Sequence, residues 1–227
     1  MKLCIALDLP TLEENISLAK SLKDFDIWLK VGFRSFIRDG KKIISELKEI
    51  NPKFKIFLDL KLYDIPNTMA DAASEISELE VDMFNIHISS GVQAMKGVMQ
   101  RISNKKDRPL VLGVSVLTSF DNKCFKEIYS STIDKKSILF AKKAHECKLD
   151  GVVCSAYESK IIKDSTKPSF LTLTPGIRPF GEDGNDQKRV ANLDIAKENS
   201  VDFIVVGRPI YQSSDPRYTV QKILKRI

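Results

Sequence analysis

Short apolar runs rich in Val, Ile and Leu recur along the chain, each followed by a longer segment whose apolar residues repeat every three to four positions. A strand buried on both faces produces the first pattern and an amphipathic helix the second, so their alternation predicts a parallel α/β fold. Eight runs can be counted: 3–8, 27–32, 55–61, 83–88, 110–117, 151–155, 170–174 and 203–207. With seven intervening helical segments and a closing helix through Val220 to Leu224, they predict a (β/α)8 TIM barrel. No linker-like stretch divides residues 1–227, so one domain is expected. A doubly wound open sheet is the alternative, but no G-x-G-x-x-G follows the first run. Helix starts agree with the barrel: Thr11 and Glu14 have capping-box spacing, and Asp215 precedes Pro216 as a cap before a first-turn proline.

Charge and cysteine usage narrow the partners. Thirty-six Lys and Arg against 30 Asp and Glu leave +6, which favours acidic small molecules or nucleic acid. Basic pairs such as Lys41-Lys42 and Lys135-Lys136 sit in helix-like segments beside acidic residues, however, and read as solvated helix faces, so no nucleic-acid partner is expected. Cys4, Cys124, Cys147 and Cys154 lack C-x-x-C spacing and read as buried reduced thiols rather than a zinc site. The first apolar run is too short for a signal peptide and no 18 apolar residues run together, so a cytoplasmic protein with no membrane contact is expected.

In a (β/α)8 barrel the chemistry sits at the carboxyl ends of the strands. There the sequence places Asp8, Lys30, Asp59, Lys61, His87 and Arg208. Asp59 and Lys61 are two apart and point to one side of the wall, with Leu58, Leu60 and Leu62 on the other, so the charged pair faces the barrel mouth. Buried charges need partners, and Lys30 on the adjacent strand suits Asp59. Asp64, shortly before Pro66, reads on local sequence as a helix-cap carboxylate, although a cap does not explain why it occurs with Asp59 and Lys61. The loops after strands seven and eight, where such barrels bind phosphate, carry Pro175, Gly176 and Arg178, then Gly207 and Arg208. Their glycines let backbone N–H groups approach an anion and their arginines supply forked donors. The Gly-rich segment 179–185 suits a closing lid, with Gln187 at its end reading either as a ligand contact or as a solvated amide. His87 and His145 are the only histidines, and a lone His near carboxylates reads as a hydrogen-bonded wall residue rather than a metal ligand.

These residues resemble the orotidine 5′-phosphate decarboxylase family along the whole chain. The resemblance rests on Ala6-Leu7-Asp8, on Leu29-Lys30-Val31-Gly32 and on D-x-K-x-x-D-I-P-x-T from Asp59 to Thr68. Val116-Leu117-Thr118, Thr174-Pro175-Gly176-Ile177-Arg178 and Val205-Val206-Gly207-Arg208 complete it. It implies decarboxylation of orotidine 5′-monophosphate to UMP, the last step of pyrimidine synthesis, with no metal or organic cofactor. It further implies a charged tetrad of Lys30, Asp59, Lys61 and Asp64, with Lys61 as proton donor. In a homodimer, Asp64 and Thr68 would reach into the neighbouring subunit's site. Asp8 and Lys30 would bind the ribose and Thr118 the pyrimidine, while Arg178, Gln187, Gly207 and Arg208 would hold the phosphate; Ile65 and Pro175 complete the substrate-binding set. A magnesium-dependent sister enzyme acting on a sugar phosphate shares D-x-K-x-x-D but calls for a carboxylate where this chain has Lys30, which would repel the ion. A non-catalytic phosphate or nucleic-acid binder would leave the inward Asp59 and Lys61 without a purpose.

Overall fold

A computed structural model of the protein describes residues 1–182 and 189–227. Eight parallel strands close in sequence order into one barrel. They are β1 (Lys2–Ala6), β2 (Trp28–Gly32), β3 (Lys55–Leu62), β4 (Met83–His87), β5 (Leu110–Val114), β6 (Gly151–Val153), β7 (Leu171–Thr174) and β8 (Phe203–Val206). Each falls on one of the apolar runs read from the sequence. Around them lie α1 (Leu12–Ser21), α2 (Phe33–Asp39), α3 (Lys42–Ile50), α4 (Pro66–Ile76), α5 (Val92–Ile102) and α6 (Asn122–Tyr129). The ring continues with α7 (Ile133–Glu146), α8 (Ala156–Ser165), α9 (Leu193–Glu198), α10 (Arg208–Tyr211) and α11 (Pro216–Leu224).

The barrel holds two apolar layers. Cys4, Trp28, Phe57, Met83, Leu112, Val153, Leu173 and Phe203 fill its interior. The intervening residues, among them Ile5, Leu29, Leu58, Phe84, Val111 and Ile204, turn outward and pack under the helices. That double burial is why the strands read as continuous apolar runs. Three segments that follow strands hold two helices where the sequence suggested one. Between β2 and β3, α2 stops at Gly40 (φ +58°); between β5 and β6, α6 stops at Ser130 (φ +50°); and after β8, α10 precedes α11. Both expected caps are present: Thr11 and Glu14 exchange hydrogen bonds with each other's backbone N–H, and Asp215 accepts from the Tyr218 N–H. Cys4, Cys147 and Cys154 are buried as expected, but Cys124 is exposed, because α6 buries only Phe125 and turns Cys124 outward.

At the amino ends of the strands, three aspartates repeat one contact. Asp82, Asp150 and Asp202 stand immediately before β4, β6 and β8, and each accepts, at 2.8 Å, the N–H of the second residue of the preceding strand, from Ile56, Val111 and Thr172. A cation neutralises each one, Lys55, Arg108 and Lys163 respectively, at 2.7 Å. This rim staples neighbouring strands far from the mouth and leaves the carboxyl ends to other work.

Candidate active site

At those carboxyl ends a cavity of about 250 Å3 opens, lined by Asp8, Lys30, Asp59, Lys61, Thr118, Pro175, Gly176, Arg178, Gly207, Arg208 and Tyr211 among others. Lys30 lies at its floor, with its side chain only 10% exposed, and its ammonium sits 3.2 Å from Asp8 and 3.6 Å from Asp59. The expected Lys30–Asp59 pair is therefore present, with Asp8 as a closer second partner. Lys61 Nζ donates to the other oxygen of Asp59 at 2.6 Å. Two lysines and two aspartates thus form one linked, formally neutral chain across β1, β2 and β3.

The titration behaviour follows from that linkage. Burial would push the Asp59 carboxyl up, but Lys30 and then Lys61 outweigh it and hold it below the usual carboxylate range. Burial would pull the Lys30 ammonium down, but Asp59 and Asp8 outweigh it and keep Lys30 above the ordinary lysine range. Gly32 leaves room for this contact, since a Cβ there would stand 2.8 Å from Lys30 Nζ.

Lys61 is held in an unusual way. Its φ is +52°, a left-handed conformation that costs an L residue about 1–2 kcal/mol. The β3–β4 register explains it: Leu58 pairs with Phe84 and Leu62 with Ile86, so Asp59, Leu60 and Lys61 lie opposite Asn85 alone. The bulge keeps Asp59 and Lys61 on the cavity side while Leu58, Leu60 and Leu62 remain with the outer core. Asn85, buried on β4, was not anticipated from the sequence. Its carboxamide donates to Asp59 Oδ1 and accepts from the Lys61 N–H, both at 2.7 Å. The available signal was one amide within the apolar run Met83-Phe84-Asn85-Ile86 of β4, where a polar group must find partners.

The opposite wall carries the anion-binding candidates. Gly176 has φ +78°, which suits glycine, and turns the chain after β7. Arg178 is buried; its N–H donates to Ala191 O at 2.8 Å and its guanidinium to Ile177 O at 3.2 Å. Gly207 packs close to Ala6, and Arg208 follows at the start of α10. Gln187 and the lid positions 183–185 lie outside the described residues. Just past them, Arg189 pairs with the buried Glu158 and donates to Val116 O at 3.0 Å and Leu117 O at 3.3 Å. Sequence reasoning missed this brace behind Thr118; the capping box that holds Glu158, Ser155-x-x-Glu158, was its visible trace.

Asp64, Ile65 and Thr68 do not line this cavity. All three are exposed, Asp64 and Ile65 on the stretch leading into α4 and Thr68 in its first turn. Asp64 is not the helix cap: Ile65 occupies that position without a side-chain cap bond, and the Asp64 carboxylate accepts the Ile65 N–H at 2.7 Å. His87 is a wall residue, 3.1 Å from the Ser89 hydroxyl and beside the Tyr63 ring, and burial, then Lys61, lowers its pKa.

Comparison with known proteins agrees with this arrangement. A family model described as "Orotidine 5'-phosphate decarboxylase / HUMPS family" matches residues 1–223. A relative from a Nitratiruptor species, called orotidine 5′-phosphate decarboxylase, is 63% identical over 227 residues and the match covers all of both chains. One from Campylobacter jejuni subsp. jejuni, with the same name, is 62% identical over the same full lengths. The crystal structure of orotidine 5′-phosphate decarboxylase from Lactobacillus acidophilus superposes with a TM-score of 0.85 at 31% identity, covering 99% of this chain and 98% of the other. The chain belongs to the orotidine 5′-phosphate decarboxylase / HUMPS family.

Proposed function

We propose that the protein converts orotidine 5′-monophosphate to uridine 5′-monophosphate and CO2, closing pyrimidine nucleotide synthesis. The observation that carries this reading is the Lys30–Asp59–Lys61 chain at the floor of a cavity whose far wall bears Arg178 and Arg208. Loss of CO2 from the pyrimidine ring leaves an electron pair in an sp2 orbital that no neighbouring carbonyl can delocalise. The barrier must therefore fall by something near the upper part of the range of about 8–23 kcal/mol that enzymes supply. Lys61 places an ammonium where that charge develops and then delivers a proton to C6. Asp59 faces the departing carboxylate, and Lys30 keeps it ionised. Asp8 and Lys30 bind the ribose, Thr118 and Pro175 the pyrimidine side, and Arg178, Gln187, Gly207 and Arg208 the phosphate. Binding energy at the remote phosphate positions the ring for reaction.

The sugar-phosphate chemistry of a magnesium-dependent sister is disfavoured by the position of Lys30. Its ammonium already occupies the space between Asp8 and Asp59, where a cation would have to sit. The test is loss of ultraviolet absorbance on incubation with orotidine monophosphate, with and without EDTA. Turnover that persists in chelator supports the proposal, and activity that appears only with added Mg2+ overturns it.

A homodimer with shared sites belongs to the same proposal. Phe33 and Ile37 after β2, and Tyr63 and Ile65 after the neighbouring β3, are all more than 60% exposed, and Tyr63 and Ile65 flank the exposed Asp64. A second copy seated there would place Asp64, Ile65 and Thr68 at the partner's cavity and complete the tetrad. Mixing Lys61→Ala with Asp64→Ala subunits should restore part of the activity; confirmed mixed dimers without restoration would refute the shared site. We place the enzyme in the cytoplasm; among the described residues no helix is long and apolar enough to cross a membrane.

A further inference from the structure

Every strand pair of the barrel except β3–β4 advances in step, residue for residue. Where β3 takes four residues from Leu58 to Leu62, β4 takes two from Phe84 to Ile86, and Asn85 alone faces the excess. The residue is only 1% exposed, and its side chain fills the break in the ladder. The amide orientation is determined by its neighbours. The Lys61 N–H can only donate, so it faces Oδ1 at 2.7 Å; ionised Asp59 can only accept, so it faces Nδ2 at 2.7 Å. Asp59 Oδ1 is also the atom that receives the Lys61 ammonium at 2.6 Å. One buried amide therefore grips the backbone of Lys61 and the carboxylate to which the Lys61 side chain is tied.

We infer that Asn85 is a positioning residue for the reaction: it holds the left-handed Lys61 backbone and the Asp59 carboxylate together, so that the ammonium stands at the cavity before any substrate arrives. It need not touch substrate, and it does not line the cavity. The inference rests on the role proposed above for Lys61. A bulged strand end has freedom that a regular ladder lacks, and without the Asn85 contacts the Lys61 N–H would be left without its acceptor in a partly buried place. The backbone would relax to satisfy it, carrying the ammonium away.

The test uses the full-length protein with Asn85→Ala and Asn85→Asp. In Asn85→Ala, kcat should fall about 10²-fold, as expected for a catalytic group displaced by about 1 Å, with KM little changed. Amide hydrogen exchange at Lys61, followed by NMR without ligand, should accelerate. Asn85→Asp keeps an acceptor for the Lys61 N–H but sets an oxygen against Asp59 Oδ1, so it should restore the slow exchange while kcat stays low. Wild-type kcat in folded Asn85→Ala overturns the inference, as does unchanged exchange at Lys61. A pure packing role would lower the unfolding midpoint and leave kcat per folded molecule intact, which also overturns it. Should Asn85→Ala not fold, wild-type kcat in Asn85→Asp is the overturning result. If the unaltered protein itself fails to decarboxylate orotidine monophosphate, the proposed function falls, while the exchange measurement still judges the grip on Lys61.

Discussion

Replacing Gly32 with alanine adds a single methyl group where the ion pairs are most crowded. The new Cβ would lie 2.8 Å from Lys30 Nζ and 3.0 Å from Asp8 Oδ1. Comfortable nonbonded contacts start at about 3.5 Å, so the ammonium must retreat by roughly 0.7 Å. The backbone has no objection to the change, since φ −86° and ψ 176° are open to any L residue. Gly→Ala at a compatible site stabilises by about 0.4–1 kcal/mol through the unfolded chain, which offsets part of the local strain. Lys30 spans Asp8 and Asp59 at 3.2 and 3.6 Å, so the retreat disturbs both contacts and, through Asp59, the seat of Lys61. Misplacement by about 1 Å costs on the order of 10²-fold in rate, so kcat should fall by tens of fold while the thermal midpoint stays near that of the unaltered protein. Steady-state absorbance assays and thermal denaturation on the same preparation measure both. Unchanged kcat in the folded variant would show that the Lys30 ammonium can move without consequence and would refute the reasoning.

Lys61→Ala should lower kcat at least about 10⁴-fold, the combined loss of a proton donor and of a charge at the developing carbanion, with an unchanged circular dichroism spectrum; substantial turnover would remove Lys61 from the donor role. Asp59 titrates below the usual carboxylate range, so the stability it lends is present above its unfolded pKa of about 3.9 and disappears as pH falls through the folded value. Asp59→Asn should therefore be less stable than the unaltered protein at pH 7, with the gap in urea midpoints closing below about pH 4; a gap independent of pH would contradict this. Arg189→Met strands the buried Glu158 carboxylate and should cost about 3–5 kcal/mol in urea denaturation, whereas a loss near the roughly 0–1 kcal/mol of a surface pair would mean that the brace is not formed. Orotidine, lacking the phosphate, should lose turnover as well as affinity, and a change in KM alone would argue against a phosphate contribution to positioning.

The parts of this molecule that could be read from its sequence are those that one segment specifies alone. Each β-branched run became a strand because burial on both faces demands such a run, and Thr11, Glu14 and Asp215 cap helices with atoms a few residues away. The prediction for Asp59 and Lys61 reached the right side of the wall by an incomplete argument. Strand alternation counts residues on one strand, but Lys61 reaches the cavity through a bulge that exists only because β4 offers one residue where β3 offers three. Asp64 misled for the complementary reason. Its position before Pro66 suits a cap, yet the chain turns one residue later and Ile65 takes that place, leaving a carboxylate whose proposed task depends on a second subunit. The aspartates before β4, β6 and β8 were legible in principle, as an apolar residue followed by Asp at three strand starts, Val81-Asp82, Leu149-Asp150 and Val201-Asp202. Asn85 lies between these cases. An amide inside an apolar strand costs several kcal/mol unless hydrogen bonded, about 2–7 by transfer measures, so its presence announces a polar partner within the barrel. That the partners are the backbone of one charged residue and the carboxylate of another follows only from the register of two strands, and this is why the residue that holds the site carried a weaker sequence signal than the residues it holds.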